Sequence, residues 1–103
     1  MEIKNIIHII LGIFDTMNDE TKILLSYLEI APNRFKIFEL FKDYETITQK
    51  MIFDKCDFRS KKITRYIKQL HEKNLIFTVD PTVRKGKQYQ LTTKGKHLIK
   101  YLK

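Results

Sequence analysis

Hydrophobic residues in the first fourteen positions recur three and four residues apart. This spacing predicts a helix over residues 2–14, and its apolar stripe is wide enough to need cover on more than one side. A second copy of the chain can supply that cover, so we expect a homodimer interface here; the alternative is a helix central to the core of its own monomer. The residues assigned to the interface are Ile3, Ile6, Ile7, Ile10, Ile13 and Phe14.

Two further helices are predicted on either side of Pro32. Asn18 is a good N-cap for a helix over residues 19–30, because its side-chain oxygen can accept from the first free backbone N–H groups. Pro32 lies just past the end of that helix. Another helix begins after Asn33 and extends to about Lys42. The first part of the chain is therefore expected to be helical.

A short helix, a tight turn and a longer helix are predicted next. Thr46 and Gln49 have the spacing of a capping box, so the short helix starts there and ends near Cys56. Residues 57–58 form the turn, and the longer helix follows over about residues 60–73. This order is typical of a helix-turn-helix motif.

The helix over residues 60–73 has two unlike faces. At 100° per residue, Ile63, Ile67 and Leu70 fall within about 60° of one another and form a core stripe. The helix is thus anchored by one face and presents cations on the other. The cationic face consists of Lys61, Arg65 and Lys68, with Thr64 beside them.

After this helix the hydrophobic period changes from helical to alternating. Residues 75–80 alternate, residues 81–87 contain Pro, Gly and three cations, and residues 88–92 alternate again with Tyr89 and Leu91 on one face. This pattern predicts a β-hairpin with an exposed basic tip.

A last helix is predicted over residues 93–103. With 103 residues, the chain is long enough for a single domain with one modest core. The predicted fold class is therefore mostly α with a small β-hairpin (α+β).

The second half of the chain is far more basic than the first. Residues 1–53 hold 6 Lys/Arg and 8 Asp/Glu, whereas residues 54–103 hold 14 Lys/Arg and 4 Asp/Glu, for a total net charge of +8. A surface that only keeps a protein soluble would be expected to spread its lysines over both halves. The asymmetry indicates a face that meets a polyanion.

Double-stranded DNA is the polyanion that fits a cationic helix. The major groove admits one α-helix between walls of phosphate, which Lys and Arg neutralise. A basic hairpin tip can reach the backbone or the minor groove. The alternative is a solvated cationic face without a ligand. The residues predicted to contact DNA are Arg59, Ser60, Lys61, Lys62, Thr64, Arg65 and Lys68 in the helix, and Arg84, Lys85 and Lys87 at the tip.

Three segments resemble those of winged helix-turn-helix transcription regulators of the ArsR/MarR-like type. They are "PNRFKIFELF", "ITQKMIFDKCDFRSKKITRYIKQLHEKNLI" and "GKQYQLTTKGKHLIKYL", within about residues 32–103. The resemblance implies a dimeric regulator in which residues 32–92 form the winged helix-turn-helix and 93–103 form a C-terminal helix. It does not extend to residues 1–31, whose expected role in dimerisation rests mainly on their apolar stripe. It also implies major-groove roles for Ser60, Lys61, Thr64, Arg65 and Lys68, and wing roles for Arg84, Lys85 and Lys87.

The chain departs from this pattern at two places. Asn74 stands where such proteins usually have Gly, and we expect the helix end to survive because Asn tolerates the left-handed conformation. The turn before the recognition helix is "DF" rather than a Gly-containing turn. The wealth of Ile and Lys, with Ala31 as the single alanine, is compatible with the AT-rich genome of an archaeon or one of its viruses.

Other classes of function are disfavoured by the sequence. Cys56 is the one cysteine, which excludes an internal disulfide and favours a cytoplasmic protein; we expect it to be a small core residue, with a redox switch or an intersubunit disulfide as the alternative. His8, His71 and His97 show no metal-ligand spacing, so we expect no metal and no cofactor. Residues 6–14 are too short to span a membrane.

No catalytic constellation is present, so we expect the protein not to be an enzyme. A second kind of binding function remains open, because winged helices also serve as protein-interaction modules. In that case the face of the recognition helix would dock on a protein partner rather than on DNA. The sequence does not indicate a particular operator, a small-molecule effector, or a choice between repression and activation.

Overall fold

The computed structural model describes residues 18–102. The helix predicted over residues 2–14, with its proposed dimer interface, lies outside the described residues. Within them the chain forms five α-helices, a short 3-10 helix and three strands. In chain order these are α1 (Asp19–Glu29), α2 (Pro32–Glu39), the 3-10 helix (Leu40–Lys42), β1 (Ile47–Thr48), α3 (Gln49–Cys56), α4 (Ser60–Glu72), β2 (Ile76–Thr78), β3 (Gln88–Leu91) and α5 (Thr93–Ile99).

The first two helices begin at residues that favour a helix start, a capping side chain in α1 and a proline in α2. The side chain of Asn18 accepts a hydrogen bond of 2.7 Å from the backbone N–H of Thr21, which confirms the predicted cap of α1. Helix α2 starts at Pro32, slightly earlier than predicted, because proline is preorganised for the first turn and needs no N–H acceptor there. The 3-10 helix then carries the chain to the predicted end at Lys42.

The predicted capping box at the start of α3 is wrong. The N-cap is Thr48, whose hydroxyl accepts from the N–H of Met51 at 3.2 Å. Thr46 lies before the helix, and its hydroxyl instead accepts from the side-chain amide of Gln90 at 2.9 Å. Two residues that were expected to be helical therefore form β1, a strand too short to show alternation.

The three strands form an antiparallel sheet in the order β1-β3-β2. Ile47 of β1 lies opposite Tyr89 of β3, and Ile76 of β2 lies opposite Leu91. The predicted hairpin is confirmed, and β1 adds a third strand to it. The loop over residues 81–87, called the wing from here on, connects β2 to β3.

The core lies between the helices and the inner face of this sheet. The predicted stripe of α4 is buried, since Ile63, Ile67 and Leu70 are 1%, 5% and 0% exposed. Tyr89 and Leu91 are also buried, as the alternation in β3 predicts. Apolar residues from all five α-helices complete the core, together with Phe41 of the 3-10 helix. The fully buried ones include Leu28, Ile37, Phe38, Ile52 and Leu98.

A buried arginine joins three helices. Arg34 of α2 is 5% exposed, and its guanidinium donates to the side-chain oxygen of Gln69 in α4 at 2.8 Å and to the backbone carbonyl of Tyr27 in α1. The guanidinium carbon also lies 3.5 Å from the centre of the Tyr27 ring. Arg34, which lies in the first of the three segments that resemble winged-helix proteins, thus has a structural role here.

The junction after α4 is built from small and polar groups. Asn74 has φ = 58°, the left-handed conformation expected when it replaces glycine. Its carbonyl accepts from the hydroxyl of Thr92 at 2.7 Å, and the same hydroxyl accepts from the N–H of Gly95 at the start of α5. A Cβ added to Gly95 would collide with the backbone carbonyl of Leu75, so only glycine fits there.

Helix α5 is shorter than predicted. It ends at Ile99 rather than near Lys103, and residues 100–101 form a turn. Leu98 is buried against the rest of the core, whereas Ile99 is only partly buried. No helix among residues 18–102 is long and apolar enough to cross a membrane.

Candidate nucleic-acid interface

Helices α3 and α4 are held at an angle by a tight turn. Asp57 has φ = 55° and its N–H donates to the carbonyl of Phe53 at 3.1 Å, which ends α3. The ring of Phe58 then packs edge-on against Tyr66 of α4, with 6.4 Å between ring centres. The predicted turn at residues 57–58 is confirmed, and the outer face of α4 is left open to solvent.

Every cation predicted on the recognition helix is exposed. The hydroxyl of Thr64 donates to the carbonyl of Ser60 at 3.0 Å, so its oxygen is still able to accept a further bond. The guanidinium of Arg65 reaches the hydroxyl of Tyr66 only at 3.5 Å, and this contact lowers the pKa of Tyr66. The structure places on this surface Arg59, Ser60, Lys61, Lys62, Thr64, Arg65 and Lys68.

The N-terminus of α4 has no side-chain cap. The residue before the helix is Arg59, and its side chain makes no capping hydrogen bond. The first backbone N–H groups of a helix have no acceptor inside the helix, and they carry its partial positive charge. This end of α4 can therefore take an anion as readily as the cationic side chains can.

The wing carries its cations on an open tip. Arg84 and Lys85 are exposed, and Lys87 is half-buried. Gly86 has φ = 70°, and no atom lies within 4 Å of the place where a Cβ would be. Within residues 18–102, the cations of α4 and of the wing form no ion pair with a carboxylate; the ion pair between Lys94 and Glu20 joins α5 to α1 instead.

A cleft of about 510 Å³ separates the wing from the start of α3. On the α3 side it is lined by Thr48, Gln49 and Lys50, and on the wing side by residues 84–87 and Tyr89. Gln49 and Lys50 are not among the residues predicted from the sequence to contact DNA, because α3 was predicted only as the first helix of the helix-turn-helix. No local pattern identifies them, since β1, which brings the start of α3 beside the wing, is too short to show alternation.

A smaller cleft of about 320 Å³ lies between α3 and α4. It is lined by Gln49 and Lys50 again, together with Phe53, Ser60 and Ile63. The ring of Phe53 is 50% exposed at this position. Since Gln49 and Lys50 border both clefts, the wing, the start of α3 and the exposed side of α4 form one continuous surface. This surface adds Lys50 and the cations of the wing to the cationic face of α4 and keeps that name.

The groups behind the cationic face are neutral. Burial raises the pKa of Tyr89, and a hydrogen bond with the Gln49 side chain offsets part of that rise. Burial, followed by the charge of Lys87, lowers the pKa of His71, whose ring nitrogen lies 3.0 Å from the hydroxyl of Thr78. A neutral phenol and a neutral imidazole at physiological pH leave the positive charge of the wing uncompensated.

The remaining candidate sites offer no metal chemistry in the part of the chain that the structure describes. No group of three His, Cys, Asp or Glu residues within residues 18–102 could hold a metal ion. Cys56 is a free, half-buried thiol that packs against the edge of the core. Burial raises the pKa of this thiol, which disfavours the reactive thiolate.

Comparison with known proteins gives matches among solved structures. No protein-family model and no curated protein sequence matches the chain. The reduced form of MarR from E. coli matches over 97% of this chain and 72% of its own, with 21% identity and a TM-score of 0.61. The regulator Tm0710 from Thermotoga maritima matches over 94% and 69%, with 19% identity and a TM-score of 0.62. A mutant E. coli MarR in complex with operator DNA matches over 97% and 75%, with 20% identity and a TM-score of 0.61.

The chain has the winged helix-turn-helix fold of MarR. The fold predicted from the three sequence segments is thereby confirmed. In this fold α3 and α4 form the helix-turn-helix, and the hairpin of β2 and β3 carries the wing.

Proposed function

We propose that the protein is a sequence-specific double-stranded DNA-binding transcription regulator that acts as a homodimer. In this proposal α4 enters the major groove and the wing meets the backbone or the minor groove. The observation that carries it is the cationic face, whose positive charges find no carboxylate within the described residues. One of the similar solved structures is bound to operator DNA, which supports the same partner for this chain.

The proposed roles follow from the chemistry of each side chain. Arg65 projects its fork of donors from the middle of α4, where it can bind the two acceptors on the edge of a guanine. Ser60 and Thr64 can contact a base edge or a phosphate. The lysines of α4 are suited to phosphates, because an ammonium is a point charge without a preferred plane. The uncapped end of the helix is also suited to phosphates, because its first N–H groups are free to donate.

The homodimer is supported by the outer face of α1. Ile23 of α1 and Ile30, which caps the C-terminal end of α1, are 66% and 77% exposed in the single chain. A second copy would cover them, together with the proposed interface residues between 3 and 14. Two recognition helices related by a twofold axis would enter successive major grooves ~34 Å apart, so we expect a roughly palindromic site.

The test is a DNA-binding titration at several salt concentrations, read by fluorescence anisotropy. The duplexes are the region upstream of the protein's own gene and a shuffled duplex of the same composition. We expect a preference for the native duplex that persists at physiological salt, with affinity falling steeply as salt rises.

Two other outcomes would change the proposal. Weak and equal binding to both duplexes that disappears with salt would leave only a general cationic surface. No binding to either duplex at low salt would contradict the DNA proposal and favour a protein-interaction module, in which the cationic face docks on a protein.

A further inference from the structure

We propose that the cleft between the wing and the start of α3 is a clamp for a single phosphate group of the DNA backbone. Lys50 holds the phosphate from the α3 side, and Lys85, with Arg84 beside it, holds it from the wing. This inference rests on the proposed function and deepens it. It assigns DNA contact to a residue outside both the recognition helix and the wing.

The cleft has the charge and the opening that a phosphate needs. Its eight lining residues include four cations and no acid. The cations come from two separate elements, with Lys50 on α3 and Arg84, Lys85 and Lys87 on the wing. Charges gathered from opposite walls repel each other unless an anion lies between them. The cleft therefore favours an anion, and none of its lining residues supplies one.

The backbone adds donors to the α3 wall. The cap hydroxyl of Thr48 is already occupied by the N–H of Met51. The amides of Gln49 and Lys50 open the helix, and the first N–H groups of a helix have no acceptor within it. An anion in the cleft would thus meet the positive end of α3 as well as the ammonium of Lys50.

The sheet holds the start of α3 beside the base of the wing. Ile47 and Thr48 of β1 pair with Tyr89 and Gln88 of β3, the strand that leaves the wing. The start of α3 follows β1 directly, so this pairing places it on the side of the wing. The α3 side of the clamp is therefore preorganised, and only the tip of the wing must be ordered when a phosphate binds.

The floor and the mouth of the cleft also suit a phosphate. Burial raises the pKa of Tyr89, so this phenol brings no negative charge to the cleft, and it has a hydrogen bond with the Gln49 side chain. At the mouth, Gly86 turns the wing with φ = 70° and has open space where a side chain would stand. A phosphate that is part of a polymer needs such an open side, because the strand must enter and leave.

The position of the cleft favours the DNA backbone over a free phosphate. Gln49 and Lys50 also border the smaller cleft that Ser60 of α4 lines. A DNA strand at the edge of the groove that receives α4 would therefore pass the start of α3 on its way to the wing. A free phosphate or nucleotide shares the same chemistry, and the test separates the two sources.

The test is a double-mutant cycle on DNA binding, read by fluorescence anisotropy across a salt series. Because a phosphate contact is independent of sequence, any duplex serves, and the operator sequence need not be known. Lys50→Ala and Lys85→Ala are each expected to weaken binding by about tenfold, equally on native and shuffled duplexes. Each is expected to reduce the salt slope by about one.

The coupling between the two variants decides whether they share one phosphate. The two single losses of affinity, multiplied together, should exceed the loss measured for the double variant by a factor of about three or more. Lys55→Ala is the matched control, since Lys55 lies at the other end of α3 with its ammonium 4.8 Å from the Tyr44 ring. It should leave the affinity and the salt slope unchanged.

Two results would overturn the clamp. The shared phosphate would be contradicted if wild type binds DNA with a steep salt dependence and Lys50→Ala has the same affinity and salt slope. It would also be contradicted if the two single losses of affinity simply multiply in the double variant. In both cases the proposed function stands. If inorganic phosphate shifts the amide signals of Gln49 and Lys50 saturably in an NMR titration, and Lys50→Ala abolishes this without changing the DNA salt slope, the cleft is a site for free phosphate instead. Failure of wild type to bind any duplex would remove both proposals.

Discussion

Arg34 and Arg65 carry the same charged group in opposite surroundings. Arg34 is buried where α1, α2 and α4 meet, donates to Gln69 and to the carbonyl of Tyr27, and lies 3.5 Å from the Tyr27 ring. Arg65 is exposed on α4, and its guanidinium carbon lies 5.2 Å from the centre of the Tyr66 ring. Its guanidinium makes one long hydrogen bond of 3.5 Å to the hydroxyl of Tyr66. Two nitrogens of the Arg34 guanidinium donate to acceptors inside the chain, while its buried Nε has no partner among the described residues. Arg65 has nearly all of its donors free.

Structural and functional charges in a basic protein can be distinguished by whether the chain itself provides their hydrogen-bond partners. A buried guanidinium without acceptors would destabilise the fold, so the chain supplies them to Arg34. An exposed cation needs no partner for stability, and a group of exposed cations without partners is slightly unfavourable. Substitutions at the Arg34 junction should therefore change stability, and substitutions on the cationic face should change binding.

Removing the side chain of Arg34 should have the largest effect. Arg34→Ala is expected to lower the free energy of unfolding by about 3 kcal/mol, because it leaves a cavity and two acceptors without a donor. Urea denaturation followed by circular dichroism measures this loss. The DNA affinity of the folded fraction should not change.

Two companion variants test the cause of that loss. Arg34→Met keeps the volume of the stem and removes only the guanidinium, so it should recover part of the stability. Lys36→Ala, an exposed cation on the same helix, should stay within about 0.5 kcal/mol of wild type. A loss below about 1 kcal/mol for Arg34→Ala would show that the junction does not depend on the guanidinium.

The corresponding change on the cationic face should affect binding alone. Arg65→Ala is expected to cost ~1–3 kcal/mol of binding free energy on the preferred duplex and to relax the preference at one base pair. Its stability should stay within about 0.5 kcal/mol of wild type. Competition between duplexes that differ at single base pairs measures the preference. Arg65→Lys should keep the salt slope but lose the preference, because lysine has no fork. Unchanged preference in both variants would remove Arg65 from base recognition.

Gly95 and Gly86 differ in packing as Arg34 and Arg65 differ in charge environment. Gly95→Ala is expected to lower stability by about 2 kcal/mol, because its Cβ would collide with the carbonyl of Leu75, which is backbone and cannot rotate away. Gly86→Ala in the wing meets no neighbouring atom, and it should cost only the strain of its positive φ, about 1 kcal/mol. Thermal denaturation compares the two. Equal melting temperatures would contradict the close approach of α5 to Leu75.

The elements that sequence reasoning predicted well are those specified by local chemistry. Helix α4 has a strong apolar stripe, and Asn18 caps α1 without help from the rest of the chain. The alternation of β3 is likewise local. The exposed cations of α4 and the wing could be identified because an amphipathic pattern separates the buried face of a helix from the open one.

The features that were missed depend on contacts distant in sequence. Strand β1 exists because Ile47 and Thr48 pair with β3, some forty residues later, and this pairing moves the helix cap from Thr46 to Thr48. Arg34 is polar in the sequence, and only the arrangement of three helices buries it. Lys50 joins the cationic face for the same reason, since β1 must first bring α3 to the wing.

A smaller effect is expected at Asn74, on the structural side of the comparison. Asn74→Ala should lower stability by about 1 kcal/mol, because alanine is strained at φ = 58°. Asn74→Gly removes that strain and should match or exceed wild type in thermal denaturation. DNA affinity should be unchanged in both. A stable Asn74→Ala would mean that the chain can leave α4 by a different path.

The smallest effect should also have the opposite sign. Lys61 and Arg65 are four residues apart on α4, and like charges at this spacing destabilise a helix by about 0.2–0.5 kcal/mol. Lys61→Gln is therefore expected to raise the melting temperature slightly at low salt, and the gain should vanish at high salt, where the repulsion is screened. The same variant should bind DNA more weakly. Lys36→Gln on α2, which has no cation three or four residues away, should show no salt-dependent gain. A Lys61→Gln variant that is less stable than wild type at low salt would show that Lys61 has a partner within the chain. It would then belong with Arg34 rather than with Arg65.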